Sequence, residues 1–179
     1  MSHLTVYRDT DPGRPLLRTE DAGEMAAVLA EIGVRFERWE SPVAVRPEDP
    51  PETILAAYRP WLDTLMGATG AGSADVVKMT PDSPGIEAAR AKFLAEHTHS
   101  EDEVRFFVHG AGHFILHVEG RVFDAHCTAG DLISVPAHCR HWFDAGERPF
   151  FTALRVFTDT SGWIPHYTGE TLTDRFPAA

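Results

Sequence analysis

The spacing of apolar residues changes along the chain, from helical repeats in the first half to alternation in the second. Apolar residues at every third or fourth position predict an amphipathic helix, whereas apolar residues at every second position predict a half-buried strand. The helical pattern predicts three helices, at 19–33, 50–66 and 86–95. The alternating pattern predicts strands at 103–109, 112–118, 121–125, 131–135, 140–144 and 150–157.

Shorter patterns in the first half predict further strands, at 4–7, 34–39 and 74–79. The strand at 4–7 is expected at the edge of a sheet, followed by a turn at 11–13. Thr19 is the expected N-cap of the first helix, and Gly33 its end. Short strands separated by frequent turns are typical of an antiparallel sandwich or barrel. The predicted fold class is therefore mainly β with flanking helices (α+β).

Length, composition and charge narrow the class of protein. With 179 residues and 43% hydrophobic composition, the chain is expected to form one domain over 1–179. Acidic residues outnumber basic ones by 27 to 16, and the formal charge of -11 argues against binding to nucleic acid or anionic membranes. We find no signal-peptide pattern and no apolar run of membrane-spanning length, and we expect a cytoplasmic monomer. Cys127 and Cys139 are expected to be buried thiols.

Four side chains form a candidate metal site. His97, His99 and Glu103 share one face of a strand if the run that contains them is extended. His141 supplies a third imidazole. Three neutral imidazoles and one carboxylate suit Fe, Ni, Mn or Zn, and an ion that prefers octahedral geometry would keep two positions free. Two free neighbouring positions are what a chelating substrate needs.

The first half of this site resembles one of the two motifs of the cupin superfamily. That motif requires His-x-His, then Glu after three or four residues, then Gly after six more. His97, His99, Glu103 and Gly110 satisfy this spacing. The resemblance implies a cupin-type double-stranded β-helix, which is a jelly-roll barrel.

The second cupin motif requires Gly, five residues, Pro-x-Gly, two residues and His. Gly130, Pro136 and His141 match it, whereas His138 stands where Gly is usual, a departure that concerns turn geometry more than metal ligation. The resemblance implies a single cupin domain with two parts: N-terminal strands and helices that pack on the barrel at 1–73, and the metal-binding barrel core with a C-terminal tail at 74–179.

A longer similarity points to one family within the superfamily. Residues 91–108 and 131–144 resemble the acireductone dioxygenases of the methionine salvage pathway, as do 151–157, the segment Gly162-Trp163-Ile164 and residues 167–169. The similarity covers roughly residues 86–170, and its central motif is far more specific than the general cupin pattern, which alone would name no substrate.

Membership of this family would imply a metal, a substrate and two sets of products. The ligands would be His97, His99, Glu103 and His141, which bind one Fe(II) or Ni(II) per chain. The family cleaves 1,2-dihydroxy-3-keto-5-methylthiopentene, an acireductone, with O₂. The iron form gives 4-methylthio-2-oxobutanoate and formate, and the nickel form gives 3-methylthiopropanoate, formate and carbon monoxide.

Arg105 is the expected catalytic residue besides the ligands. It lies two residues beyond Glu103, on the same strand face. Its permanent positive charge could stabilise the dianion that the acireductone forms on losing two protons. The alternative is an arginine inside the barrel that pairs with a neighbouring carboxylate.

Five further residues are candidates for roles around the metal site without being ligands. By the family resemblance, Glu96 would assist metal incorporation and Asp102 would relay a local conformational change. Both would face away from the metal in an uninterrupted strand. Phe107 and Phe143 lie on strand faces that also carry site residues, so each is expected either to wall the pocket or to pack in the core. Arg155 is a second candidate for contact with the substrate oxygens.

Two other functions remain open. Another cupin dioxygenase could use the same ligands on a different enol or diketone, and a non-catalytic cupin could bind a metal or a protein partner. The complete ligand set and Arg105 favour the enzyme, and turnover of acireductone would separate the alternatives.

Among other residues, Cys139 is expected to be a buried or loop thiol rather than a fifth ligand, and His113 and His117 are expected to face outward.

Overall fold

The computed structural model describes residues 1–40, 43–159 and 164–176, which form mainly β structure with flanking helices, as predicted. The helices are α1 (Ala22–Ala30), α2 (Pro51–Thr69) and α3 (Ile86–Leu94), with a 3-10 helix at Leu172–Arg175. The strands are β1 (His3–Arg8), β2 (Asp11–Thr19), β3 (Arg35–Arg38), β4 (Ser73–Met79), β5 (His97–Thr98), β6 (Glu103–Val118), β7 (Arg121–Thr128), β8 (Asp131–Val135), β9 (Arg140–Asp144), β10 (Phe151–Phe157) and β11 (His166–Tyr167).

The strands form two antiparallel sheets that share β6. One sheet has the order β11-β5-β9-β6-β7-β1-β2. The other has the order β4-β10-β6-β8-β3. The first half of β6 pairs with β8 and β10, and its second half pairs with β7 and β9. One long strand therefore joins the two walls of the barrel.

Gly110 is the point at which β6 passes from one sheet to the other. Its φ of +70° lies in the left-handed region, and a Cβ atom there would come within 1.8 Å of the Phe150 carbonyl oxygen. Only glycine meets both conditions, which explains the glycine of the first cupin motif. The prediction of two strands, at 103–109 and 112–118, was wrong because the chain bends here without leaving the sheets.

The interior of the barrel is packed with apolar side chains from both sheets and from α1. Phe107, Ile133 and Ala153 come from one sheet, and Phe114 and Phe143 from the other. Met25 and Leu29 of α1 join the same cluster, each with no exposed surface. Complete burial of such a side chain contributes about 1.5–3 kcal/mol, so this cluster holds the two sheets and the N-terminal helix together.

The outer faces of the sheets are covered by other elements. Helix α2 packs Ile54, Tyr58, Leu62 and Leu65 against the outer face of the sheet that contains β10. The 3-10 helix and Phe176 cover Trp142 on the outer face of the other sheet. Within the described ranges, no helix is both long enough and apolar enough to cross a membrane.

Three further predictions for the N-terminal region were wrong. Strand β1 is not at an edge, because β2 pairs with it on one side and β7 on the other. Residues 11–13, predicted as a turn, begin strand β2, whose two prolines are tolerated because it is an outermost, exposed strand. Helix α1 is capped by Asp21, whose carboxylate accepts from the Glu24 backbone N–H, and not by Thr19.

Candidate metal centre

The four candidate ligands lie on three different strands and a bend. His97 is in β5, His99 lies just beyond it, Glu103 begins β6 and His141 is in β9. The expected single extended run is absent, because β5 ends at Thr98 and the backbone bends before β6. Convergence comes instead from antiparallel pairing, which places His97 opposite His141.

The four side chains converge inside the barrel. Their ligand atoms all lie within 4.8 Å of one another, and all four residues are buried. The Oε2 atom of Glu103 is 3.0 Å from Nε2 of His141 and 3.3 Å from Nε2 of His99. The structure thus brings together all four residues that the sequence singled out.

Backbone carbonyls orient the three imidazoles. The Nδ1 atom of His97 is 2.7 Å from the Ala95 oxygen, and Nδ1 of His141 is 2.8 Å from the Cys139 oxygen. Nδ1 of His99 is 3.4 Å from the oxygen of Ile164. A carbonyl oxygen only accepts, so each Nδ1 carries the proton and each Nε2 directs a lone pair toward the centre. Ligand histidines in metal sites are commonly fixed in this way.

The charges of the cluster also suit a cation. Burial, together with repulsion from His141, lowers the pKa of His97 to about 4, so this imidazole is neutral at neutral pH. Burial alone would raise the pKa of Glu103, but the attraction of Arg105 and the contacts with His141 and His99 together outweigh burial, and the net pKa lies well below the usual range. Neutral imidazoles and an ionised carboxylate are the protonation states that bind metal.

The spacing of the donor atoms fits a divalent transition metal. Two ligands at right angles, each roughly 2.1 Å from an ion, are separated by about 3 Å. The separations between Glu103 Oε2 and the two Nε2 atoms, 3.0 and 3.3 Å, agree with this value. Unprotonated Nε2 atoms and a carboxylate oxygen repel one another at such distances unless a cation or a proton lies between them. The residues present therefore fit the metal that the cupin resemblance implies.

Arg105 lies beside the ligands, as the parity of β6 predicted. Its Nε atom is 2.7 Å from Oε1 of Glu103, and the side chain is only 4% exposed. The guanidinium carbon lies 4.9 Å from the ring centre of Phe143 and 5.1 Å from that of Phe114. Both roles considered for Arg105 are therefore compatible with the structure, since it pairs with a carboxylate inside the barrel and also borders the metal centre.

A cavity of about 200 Å³ opens onto the ligands. Arg105, Phe143 and Arg155 contribute to its wall. Arg155 also pairs with Asp75, with 2.7 Å between Nε and Oδ1. Contact between Arg155 and substrate therefore stays a prediction, because this arginine already has a carboxylate partner.

Three predicted outer residues do not line the cavity. Phe107 is fully buried in the apolar core and is not among the residues that line the cavity, which favours core packing over a pocket wall. Asp102 accepts a hydrogen bond from the Ala137 backbone N–H at 2.9 Å, which ties the ligand run to the turn before His141. Glu96 faces away from the cavity and is fully buried. The roles of Asp102 in a conformational relay and of Glu96 in metal incorporation stay predictions.

Four cavity residues were missed by the sequence analysis: Lys92, Phe93, Pro165 and Tyr167. Lys92 and Phe93 are in α3, immediately before the ligand run, and this proximity was the available signal. Pro165 and Tyr167 lie more than sixty residues beyond the first ligands, and only the pairing of β11 with β5 brings them to the site. Gly162 and Trp163, which carried part of the family resemblance, lie outside the described residues.

The structure supports the interpretations given above to His138 and Cys139, two residues of the second motif. His138 has a φ of +64°, a conformation that glycine adopts more readily, so the departure from the motif affects the turn and not the ligand. Burial raises the pKa of the Cys139 thiol to about 12, so the sulfur is protonated at neutral pH. Only a thiolate binds metal well, which supports the interpretation of Cys139 as a thiol rather than a fifth ligand.

Comparison with known proteins extends these observations to most of the chain. The profile of the ARD/ARD' family matches residues 3–165. The chain belongs to the ARD/ARD' family. The predicted resemblance to acireductone dioxygenases is thus confirmed, and it covers far more of the chain than the C-terminal half from which it was inferred.

Relatives within the family are similar over their full length. The acireductone dioxygenase of Granulibacter bethesdensis is 66% identical over 179 residues, with 100% of both chains covered. That of Acidiphilium cryptum is 64% identical, covering 100% of this chain and 99% of the relative. A solved acireductone dioxygenase from Bacillus anthracis, with a cadmium ion in its active centre, superposes with a TM-score of 0.81 at 29% identity, over 93% of this chain and 98% of the other. The predicted cupin fold is confirmed.

Proposed function

We propose that this chain cleaves 1,2-dihydroxy-3-keto-5-methylthiopentene with O₂ in methionine salvage. With Fe(II) the products are 4-methylthio-2-oxobutanoate and formate; with Ni(II) they are 3-methylthiopropanoate, formate and carbon monoxide. The observation that carries the proposal is the convergence of four buried ligand side chains beside Arg105, in a chain of the ARD/ARD' family. The cadmium ion in the solved relative's active centre also supports a metal at this position.

The residues that would hold the ion are His97, His99, Glu103 and His141, one ion per chain. A bound Fe(II) or Ni(II) would supply a Lewis acid for the substrate oxygens and a redox centre for the reaction with O₂. The protein supplies neutral imidazoles, an ionised carboxylate and fixed ring orientations, so that little reorganisation is needed on binding. No thiol competes for the site, since the pKa of Cys139 is raised to about 12.

Arg105 would stabilise the negative charge of the substrate. An enediol conjugated to a ketone becomes an electron-rich dianion when it loses two protons. A guanidinium held against Glu103 and beside the rings of Phe114 and Phe143 is fixed in place and shielded from water. Preorganised charge of this kind stabilises a developing anion far more than a mobile cation in water does.

The cavity suits a small substrate with an apolar tail. Its volume is about 200 Å³, and Phe93, Phe143, Pro165 and Tyr167 supply apolar surface to its lining. A five-carbon acireductone with a methylthio group could place its oxygens at the metal and its tail against these side chains.

We include in the proposal that the enzyme is a single cupin domain, monomeric and cytoplasmic, with acireductone and O₂ as its small-molecule partners.

The test is to remove all metal, reload separate samples with Fe(II) or Ni(II), and add acireductone anaerobically before O₂. We expect the keto acid and formate from the iron sample, and carbon monoxide from the nickel sample. The same products from both samples would contradict the metal-dependent outcome. Oxygen-dependent cleavage of another enol or diketone, with acireductone left intact, would assign a different cupin dioxygenase activity.

A further inference from the structure

We propose that His117 and Thr168 are positioning residues of the metal centre, and that they act through the carboxylate of Glu96. The proposal rests on the metal centre described above. Glu96 immediately precedes the ligand His97, and its side chain has no exposed surface. Its two carboxylate oxygens contact different parts of the chain. Glu96 therefore connects the start of β5 to both of these parts.

The first contact is with the segment that follows β11. The hydroxyl of Thr168 donates to Oε1 of Glu96 at 2.8 Å, and the Thr168 backbone N–H donates to the Glu96 carbonyl oxygen at 3.0 Å. Thr168 is therefore attached to Glu96 through both its side chain and its backbone. Hydrogen bonds to a charged acceptor are stronger than those between neutral groups.

The second contact is with the wall of the barrel. Nδ1 of His117, on the outer face of β6, is 3.0 Å from Oε2 of Glu96. The other ring nitrogen of His117 is 3.4 Å from Oδ2 of Asp9. A buried carboxylate needs such partners, since its desolvation is costly without them. His117 thus anchors Glu96 to a strand that also begins with the ligand Glu103.

The segment held by Thr168 contributes to the surroundings of two ligands. The Ile164 carbonyl oxygen is 3.4 Å from Nδ1 of His99, and the ring of Tyr167 lies 5.9 Å from that of His97. Tyr167 and Pro165 also line the cavity. A displacement of residues 164–168 would therefore change the orientation of His99 and open one wall of the site.

Apolar burial contributes little to holding this segment. Ile164 is 60% exposed and Tyr167 is 50% exposed. Strand β11 has two residues and pairs with the equally short β5. Segments with exposed backbone and few buried apolar side chains open at low free energy. The hydrogen bonds of Glu96 are thus a large part of what fixes residues 164–168, and His117 and Thr168 orient that carboxylate.

The experiment compares Thr168→Val, which keeps the shape but loses the hydroxyl, with Thr168→Ser, which keeps the hydroxyl. Thr171→Val is the matched control, because Thr171 makes no side-chain cap hydrogen bond in the 3-10 helix that follows it. His117→Leu and His117→Asn form a second pair, in which asparagine retains a donor near the position of Nδ1. The readouts are hydrogen exchange of residues 164–170 and the rate at which Ni(II)-loaded protein releases its metal to a chelator.

We expect Thr168→Val and His117→Leu to raise both rates about tenfold, the effect of losing one hydrogen bond to a charged group. Thr168→Ser and His117→Asn should restore most of the difference, and Thr171→Val should match the unsubstituted protein. Unchanged rates in Thr168→Val would overturn the proposal. Faster exchange spread evenly over the whole chain, with metal release unchanged, would also overturn it, since that result indicates general stability. Neither readout involves acireductone, so a failure of the proposed function would be recognised separately.

Discussion

Arg105 borders the metal centre and is not one of its four ligands. It contacts Glu103 and borders the cavity, while the four ligands occupy other positions. We predict that Arg105→Ala retains its metal but loses about 10²–10³ of kcat/KM, the size found when one preorganised charge-stabilising group is removed. Arg105→Lys should recover part of the loss, because lysine keeps the charge without the planar fork. Metal analysis and steady-state kinetics on the same samples provide the measurement, and normal turnover by Arg105→Ala would exclude the role.

His97 illustrates a residue needed for the metal but not for the fold. Its imidazole lies at the lining of the cavity, and the apolar cluster inside the barrel is formed by other side chains. We predict that His97→Ala remains folded but loses bound Fe(II) or Ni(II) on dialysis. His126→Ala, which removes an imidazole far along β7, is the control and should keep its metal. Metal content and circular dichroism measure both effects; a His97→Ala protein with full metal content would remove His97 from the ligand set.

Strand β6 carries the main structural constraint at the scale of elements. We predict that Gly110→Ala costs about 2–4 kcal/mol of unfolding free energy, because a left-handed backbone is strained and the new Cβ atom would clash with Phe150. Gly146→Ala is a matched control, since Gly146 has a φ of +77° but no atom within 4 Å of an added Cβ. It should cost only about 1–2 kcal/mol. Equal losses in urea unfolding would show that the contact with Phe150 is unimportant.

Periodicity predicted the elements whose sequences carry a local signal. Strand β8 and strand β9 have the predicted bounds, and helix α3 differs by one residue at its end. Strand β2 was missed because its proline positions are tolerated only at the outside of a sheet, which is a property of the assembled fold. The passage of β6 from one sheet to the other at Gly110 was missed because it depends on which strands lie beside β6 in the folded protein.

The candidate site was predictable where spacing and residue type sufficed. The ligand set came from motif spacing and Arg105 from strand parity. The geometry that unites the ligands is cross-strand pairing and not one extended run. For Phe107, strand parity left a pocket wall and core packing open, because parity gives the face of a strand but not how deeply a side chain is buried. The contacts of Glu96 with His117 and Thr168 span 21 and 72 residues of sequence, and local patterns contain no information on such pairs.

At the scale of the whole molecule, a row of histidines makes stability depend on pH. His3, His126 and His113 lie side by side on β1, β7 and β6, with ring centres 4.8 and 4.5 Å apart. Burial, followed by repulsion from His113 and His3, lowers the pKa of His126 to about 4. The unfolded chain, with a pKa near 6.5 for histidine, takes up this proton more readily than the folded protein.

Stability should therefore be full above about pH 6.5 and fall as the pH is lowered toward 4. We predict that replacement of His126 by Gln makes the decline in unfolding free energy between pH 7 and pH 5 shallower. The replacement removes one side chain that takes up a proton on unfolding. Urea unfolding of the metal-free protein at both pH values is the measurement. An identical decline in both proteins would show that His126 does not contribute to it.

The central claim is that the four-ligand centre of this chain cleaves acireductone with O₂. Oxygen uptake by Fe(II)-loaded protein after addition of anaerobic acireductone, with formate determined in the same sample, tests it most directly. Formate is a product with either metal, so the result does not depend on which ion was loaded. We predict one O₂ consumed and one formate released for each acireductone, with metal-free protein at the background rate. Oxygen uptake no faster than background, from protein carrying one metal per chain, would contradict the claim.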